Sequence, residues 1–236
     1  MAMEHALTIE VPQTGDVFTD CGRRLHVFCV TDPSYLGYDI PGVGGPPDVI
    51  LPQQLDATNA AMRAFAFKID WQRQELIGVQ LPQLDPRLIP LEADLIGSGD
   101  EEWAALRPRV EAAYRRVIEP HQGAKHRIRA VAASKILHLK RPSLFAIVDS
   151  RVAGYLRAGQ TDPVATAMAV ADEIRALGRH GQNRQALARC AEYLRDRRLE
   201  GRPVVMTQVR MLDALIWMKA TAMYRRLWEV LDWAQL

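Results

Sequence analysis

The stretch HRIRAVAASKILHLKRPSLFAIVDSRVAGYL, residues 126–156, gathers the side chains best placed to do chemistry. Between residues 121 and 157 lie Lys125, Arg127, Arg129, Lys135, Lys140, Arg141, Arg151 and Arg157, against the single acid Asp149. So many cations around one carboxylate imply an anionic partner, with Lys125, Arg127, Arg129, Lys135 and Arg151 as candidate contacts to phosphates. Asp149 closes the apolar run FAIV and precedes SRVAGYL. At such a place an Asp is an ordinary helix N-cap, worth about 1 kcal/mol. It is also a fixed carboxylate able to stabilise positive charge as it develops in a substrate and to orient a water. One residue can fill both roles. His138 sits on the helix before it, where a lone His is more often structural than catalytic.

The elements that must hold these residues read as helices. AVAASKILHL forms one, which ends near Arg141 because Pro142 disfavours the helical conformation in the residue before it. SLFAIV is a short apolar connector, and a new helix starts after Asp149. Upstream, Asp100 is an N-cap candidate for a helix running to Pro120, with Pro108 predicting a kink or break. Downstream, a helix starts with Thr161 as its cap and Pro163 in its first turn. QALARCAEYLRDRR and VRMLDALIWMKATAMYRRLWEVLDW follow, with Trp217, Met218, Trp228 and Trp233 as core residues at helical spacings. QQLDATNAAMRAFAFKI, from Gln53, is also helical. In the first fifty residues LTIEVP and RLHVFCV are candidate short strands. The expected organisation is one large domain: an irregular segment over residues 1–52 with room for short strands, then a mainly α domain over residues 53–236. PGVGG, residues 41–45, is not a phosphate cradle, because Pro46 and Pro47 follow and no helix opens there.

Helix, short connector, then Val-Asp at the mouth of the next helix: this arrangement resembles the helix-hairpin-helix DNA glycosylase superfamily. In that superfamily a Gly-hydrophobic-Gly hairpin opens a helix, and a Val-Asp-x-His-Val motif follows. Here VDSRV, residues 148–152, matches except that Arg151 takes the His place. Arg127, Ile128 and Arg129 stand at the hairpin; Ile128 fits the hydrophobic position and both glycines are replaced. SKILHLKRPSLFAIVDSRV and RMLDALIWM are also similar to uncharacterised bacterial relatives of these enzymes.

The resemblance implies a helix-hairpin-helix glycosylase-like fold and a duplex DNA partner with one nucleotide turned out of the stack. It also implies Asp149 as the acid that stabilises the oxocarbenium-like sugar when the base leaves. Some members use a Lys on the second helix to form a Schiff base. That place falls on Val131, with Lys135 about one turn further along, so base release without strand cleavage is expected. Tyr35, Tyr38, Asp39 and Asn59 are candidates to stack on and read a flipped base; the plainer reading is that the two tyrosines pin a loop. The alternative function is a binding protein of the same fold without catalysis.

Composition narrows the rest. Apolar residues make up 48% and charged residues 25%, as in folded globular chains. The N-terminus has no basic region followed by an apolar stretch, and Cys21, Cys29 and Cys190 are too few and too widely spaced for a disulfide framework. A cytoplasmic monomer is expected. The six histidines show no metal-ligand spacing with Cys or Asp, and no Gly-rich loop leads to GK[ST], so neither metal nor cofactor is expected. Arg175 to Arg202 forms a second basic region, diluted by Glu192, Asp196 and Glu200 and readable as a solvated helix face or as part of the anionic-partner surface.

Overall fold

The structure, a computed structural model, describes residues 7–32, 48, 87–119 and 130–221. The architecture is mainly helical. Two short strands open it, β1 (Ile9–Val11) and β2 (Asp16–Phe18), paired antiparallel with Ile9 opposite Phe18. The helices are α1 (Cys21–Thr31), α2 (Asp100–Ile118), α3 (Ala130–His138), α4 (Ser150–Tyr155), α5 (Pro163–Arg179), α6 (Asn183–Arg195) and α7 (Gln208–Ala220). A second hairpin, β3 (Arg198–Leu199) and β4 (Arg202–Pro203), links α6 to α7. Its two-residue turn, Glu200 and Gly201, has both φ angles positive, at 50° and 79°, which matches the twist of a tight hairpin. The helix expected from Gln53, and Trp228 and Trp233, lie outside the described residues.

α7 is the axis of the fold. It packs against α1, α4, α5 and α6. Residues 209–216 are buried without interruption. A helix apolar all round belongs inside a protein, and RMLDALIWM is such a sequence apart from Arg210 and Asp213. Burying Leu212, Leu215 and Ile216 contributes about 1.5–3 kcal/mol each. Around this axis α2 packs on α3 and α5, and α1 on α6. One continuous apolar core includes Ile9, Phe18 and Leu25 from the N-terminal segment together with the later helices.

Four local readings of the sequence are corrected. RLHVFCV belongs to helix α1, not to a strand. The buried positions Cys21, Leu25, Phe28 and Cys29 recur at helical spacing and face α6 and α7. α2 runs unbroken through Pro108. Pro108 and Ala104, whose carbonyl loses its donor, are both exposed, on the side of the helix open to solvent. The cap of α5 is Asp162 rather than Thr161: its carboxylate accepts from the N–H groups of Val164 and Ala165, with Pro163 as first helical residue. At α2, Gly99 is the cap and Asp100 the first helical residue.

Two polar anchors fasten the N-terminal hairpin. The buried Asn183 accepts from the N–H of Glu10 at 2.9 Å and donates to Glu10 O at 2.7 Å, acting as a neighbouring strand for β1. Asp16 accepts from the Tyr155 hydroxyl at 2.6 Å and pairs with Lys219 at 3.2 Å, tying β2 to α4 and α7. The Tyr155 hydrogen bond, followed by those from Thr14 and Lys219, holds the Asp16 carboxyl below its ordinary value near 3.8. A lowered carboxyl pKa stabilises the fold above the unfolded value, and that contribution disappears as pH falls through the folded one. Asp16→Asn should therefore lower stability by about 1 kcal/mol at neutral pH. Denaturant titrations of both proteins at pH 7 and pH 2.5 check this: the difference should shrink at the acid pH, and a constant difference would contradict it.

Candidate functional site

α3 ends two residues before Lys140, and Pro142 prevents it from continuing. The chain then runs extended through Phe145, Ala146, Ile147 and Val148, all buried, to Asp149. Among the described residues no sheet strand pairs with this connector, and side chains satisfy part of its backbone. Three of them do so. The His138 Nδ1–H donates to Phe145 O at 2.6 Å, since a carbonyl can only accept. The Ile147 N–H donates to Asp213 Oδ2 at 3.1 Å. The Val148 N–H donates to Ser134 Oγ at 2.9 Å, and that hydroxyl in turn donates to Val131 O at 2.9 Å. His138, Ser134 and Asp213 thus splint the connector from α3 on one side and α7 on the other. His138 is 3% exposed, which fixes its role as structural.

Asp213 is 1% exposed and also takes Arg210, one turn earlier on α7. The Arg210 guanidinium lies over the Phe28 ring, 5.0 Å from its centroid, so α1 closes the buried pair. The Phe145 ring meets Tyr114 of α2 edge-on at 5.5 Å. The buried Tyr114 hydroxyl has no hydrogen-bond partner among the described residues. Burial, and then the Asp213 charge, push its pKa upward, so it stays neutral.

At the end of the splinted connector Asp149 caps α4. Its Oδ1 accepts from the Arg151 N–H at 2.8 Å, and its carbonyl accepts from the Ala153 N–H at 2.8 Å. Oδ2 has no partner among the described residues, and the residue is half-buried. One oxygen is therefore held by the helix and the other is open. Arg151 is exposed; one guanidinium N–H reaches the Thr221 hydroxyl at 2.9 Å, and no acid among the described residues neutralises its charge. Asp149 and Arg151 are thus brought together at one helix mouth, beside the C-terminal end of α7. Lys135 is half-buried on α3. Lys125, Arg127, Arg129, Tyr35, Tyr38, Asp39 and Asn59 lie outside the described residues.

Two cations of the basic stretch are not on the surface. Arg141 is 1% exposed and Lys140 3%. Arg141 bonds Ile89 O and Pro90 O at 3.1 Å, and pairs with Asp48 at 2.8 Å. It serves as an internal clamp under residues 87–90, a role that charge counting along the sequence does not reveal. Burial, with the adjacent Arg141 charge added, pushes Lys140 down to about 8. Among the described residues no group of His, Cys, Asp and Glu is arranged to hold a metal ion. Cys21, Cys29 and Cys190 are buried free thiols. Burial raises Cys190 to about 12, far from the thiolate needed for nucleophilic chemistry.

Fold and site together define a mainly helical chain that presents one half-open carboxylate and an unneutralised arginine at a short-helix mouth, behind a connector splinted by buried polar side chains. Residues 46–220 match the model of a family described as "Family of unknown function (DUF6308)", and the chain belongs to that family. No curated protein and no solved structure matches it.

The network makes two opposite stability predictions. Asp213→Ala strands the Ile147 N–H and leaves Arg210 without its acid, and should destabilise by about 3–5 kcal/mol. Tyr114→Phe removes a buried hydroxyl that has no partner, and should be neutral or stabilising by up to about 1 kcal/mol. Chemical denaturation of the two variants measures both; a large loss in Tyr114→Phe would mean that the hydroxyl has a partner.

Proposed function

We propose that this chain binds duplex DNA and removes a damaged or modified base by Asp149-assisted hydrolysis of its N-glycosidic bond. The observation that carries the reading is the Asp149 carboxylate, held through Oδ1 and open at Oδ2, after a helix and a rigid connector. The order of elements supports the resemblance noted in the sequence: α3, connector, Asp149, α4. In the proposed step the electron pair of the bond between the sugar and the base leaves with the base. The open Asp149 oxygen stabilises the resulting positive sugar and takes a proton from the water that attacks it. Arg151, exposed beside the acid, meets a phosphate of the flipped nucleotide. Val131 sits where a Schiff-base lysine is needed and has no amine, so the product is an abasic site in an intact strand. Repair of lesions and defence against foreign DNA carrying unusual bases both fit such a reaction.

A non-catalytic DNA-binding protein of the same fold is the second reading. It is favoured by the capping bond from the Arg151 N–H to Asp149, because a cap alone accounts for an Asp at that position. Duplexes carrying altered bases, treated with alkali after incubation with the protein, separate the two. Asp149→Asn keeps the cap geometry and removes the charge. It should melt within about 1 kcal/mol of wild type and lose base excision by orders of magnitude. Wild-type protein that makes no alkali-labile sites on any such duplex, or an Asn variant as active as wild type, would remove the catalytic role. A covalent adduct trapped by borohydride would contradict simple hydrolysis.

A further inference from the structure

Arginine side chains in this fold divide into two kinds. Arg107, Arg115, Arg141, Arg175, Arg179 and Arg210 each hold an acid. Arg115 is the extreme case, pairing with both Glu111 and Glu119 at a spacing of four residues on α2. Arg175 and Arg179 also both donate to Ser98 O, so the start of the second basic region is used to hold the turn before α2. On α6 and the following hairpin the pattern reverses. Arg184, Arg189 and Arg195 of α6 are exposed, as is Arg202 of β4, and none has a side-chain partner among the described residues.

The sequence of α6 explains why. Four residues before and after Arg184 stand His180 and Ala188; around Arg189, Gln185 and Tyr193; around Arg195, Ala191 and Leu199. No acid stands four residues from any of these arginines. Glu192, three residues from both Arg189 and Arg195, bonds neither. Arg198 is exposed next to them, its guanidinium set by bonds to Arg195 O and Arg197 O. Beside Arg184 a shallow recess is lined by Gln182, Gln185, Ala188 and Gln208, with no acid among its lining residues. Amide N–H groups next to a free guanidinium suit a phosphate oxygen.

We propose that the exposed face of α6 and the β3–β4 hairpin form a nucleic-acid backbone surface, separate from the Asp149 site. From Arg184 to Arg195 the helix rises about 16 Å, with Arg184 and Arg195 on one edge of the exposed face and Arg189 about 140° around on the other. The cations, interspersed with the exposed acids Glu192 and Asp196 and with Glu200 in the hairpin, span a surface too wide for one small anion and suited to a polymer with repeated phosphates. The exposed α6 positions Arg184, Gln185, Ala188, Arg189, Glu192 and Arg195 carry no large apolar side chain. A helix that lies on a lipid surface needs such side chains, which favours nucleic acid over membrane. The hairpin leads into the N-terminal end of α7, whereas Arg151 contacts Thr221 just past its C-terminal end. α7 has 13 residues, so the two surfaces lie at opposite ends of a helix about 20 Å long. The contacts are to phosphates, so this surface confers affinity without sequence preference.

The test is binding of unmodified duplex DNA to the full chain, followed by fluorescence anisotropy across a range of KCl concentrations. The triple variant Arg184→Ala, Arg189→Ala, Arg195→Ala should bind at least about tenfold more weakly, with the slope of log affinity against log salt reduced by about 2.7, the loss of three phosphate contacts. Arg116→Ala, which removes an exposed arginine of α2, should bind as wild type does. Circular dichroism of the triple variant should be unchanged, because all three side chains are exposed and unbonded. Triple-variant affinity and salt slope equal to wild type would overturn the proposal. So would wild-type protein that fails to bind duplex, or that binds anionic lipid vesicles in its place. The measurement uses DNA with no altered base, so absence of base excision leaves this result untouched, and a failed result here leaves the Asp149 assay to stand by itself.

Discussion

The buried Asp213 carboxylate carries two obligations at once. One oxygen accepts the Ile147 N–H and the other holds Arg210. A carboxylate this deep is tolerable only when paired and fully hydrogen-bonded, and both partners here are structural elements rather than solvent. Arg210 brings in Phe28 of α1, and Ile147 brings in the connector. The central helix, the N-terminal helix and the approach to Asp149 are thereby locked by a single charged side chain. With Ser134 and His138 supplying the other bonds, the extended connector keeps its conformation without a sheet. The Asp149 carboxylate is then placed by the core and not by a flexible loop.

The helices around this lock were legible from the sequence where the local signals were strong. Pro142 and Asp149 bound the connector, Pro163 marks the start of α5, and RMLDALIWM, apolar apart from Arg210 and Asp213, marks a buried helix. Misreadings arose where a local signal was overridden by tertiary context. Val27 and Phe28 favour strand by type, yet the spacing of Cys21, Leu25 and Cys29 gives a helical face once α6 and α7 are present to cover it. Pro108 predicts a break from local sequence alone, yet the helix continues through it, with Val110, Ala113, Tyr114 and Val117 beyond it buried in the core. Thr161 lost the cap to Asp162 because the residue just before Pro163 holds both first-turn N–H groups.

The site was legible in part. VDSRV predicts an Asp at a helix mouth, and Asp149 caps α4. Nothing in the spacing of Ser134, His138 and Asp213 announces that they converge on one connector, because two of them lie on α3 and the third is 64 residues beyond Asp149 on α7. Charge counting was also blind to depth. Lys140 and Arg141 raise the apparent basicity of the stretch yet lie inside, whereas the α6 arginines look like an ordinary solvated face until the structure shows them without ion pairs among the described residues. Among the described residues the paired arginines Arg141 and Arg210 lie inside, and the unpaired Arg184, Arg189 and Arg195 face outward.

The most direct test of the central claim is amide hydrogen exchange at Ile147 and Val148, followed by NMR. These two residues lie in no helix or strand, so a connector held only by apolar contact would exchange at rates typical of loops. The splint account predicts protection approaching that of the buried amides of α7, because both N–H groups are bonded to buried acceptors on other helices. Exchange of Ile147 and Val148 as fast as that of the exposed Gly159 would contradict it and leave Asp149 without a rigid support.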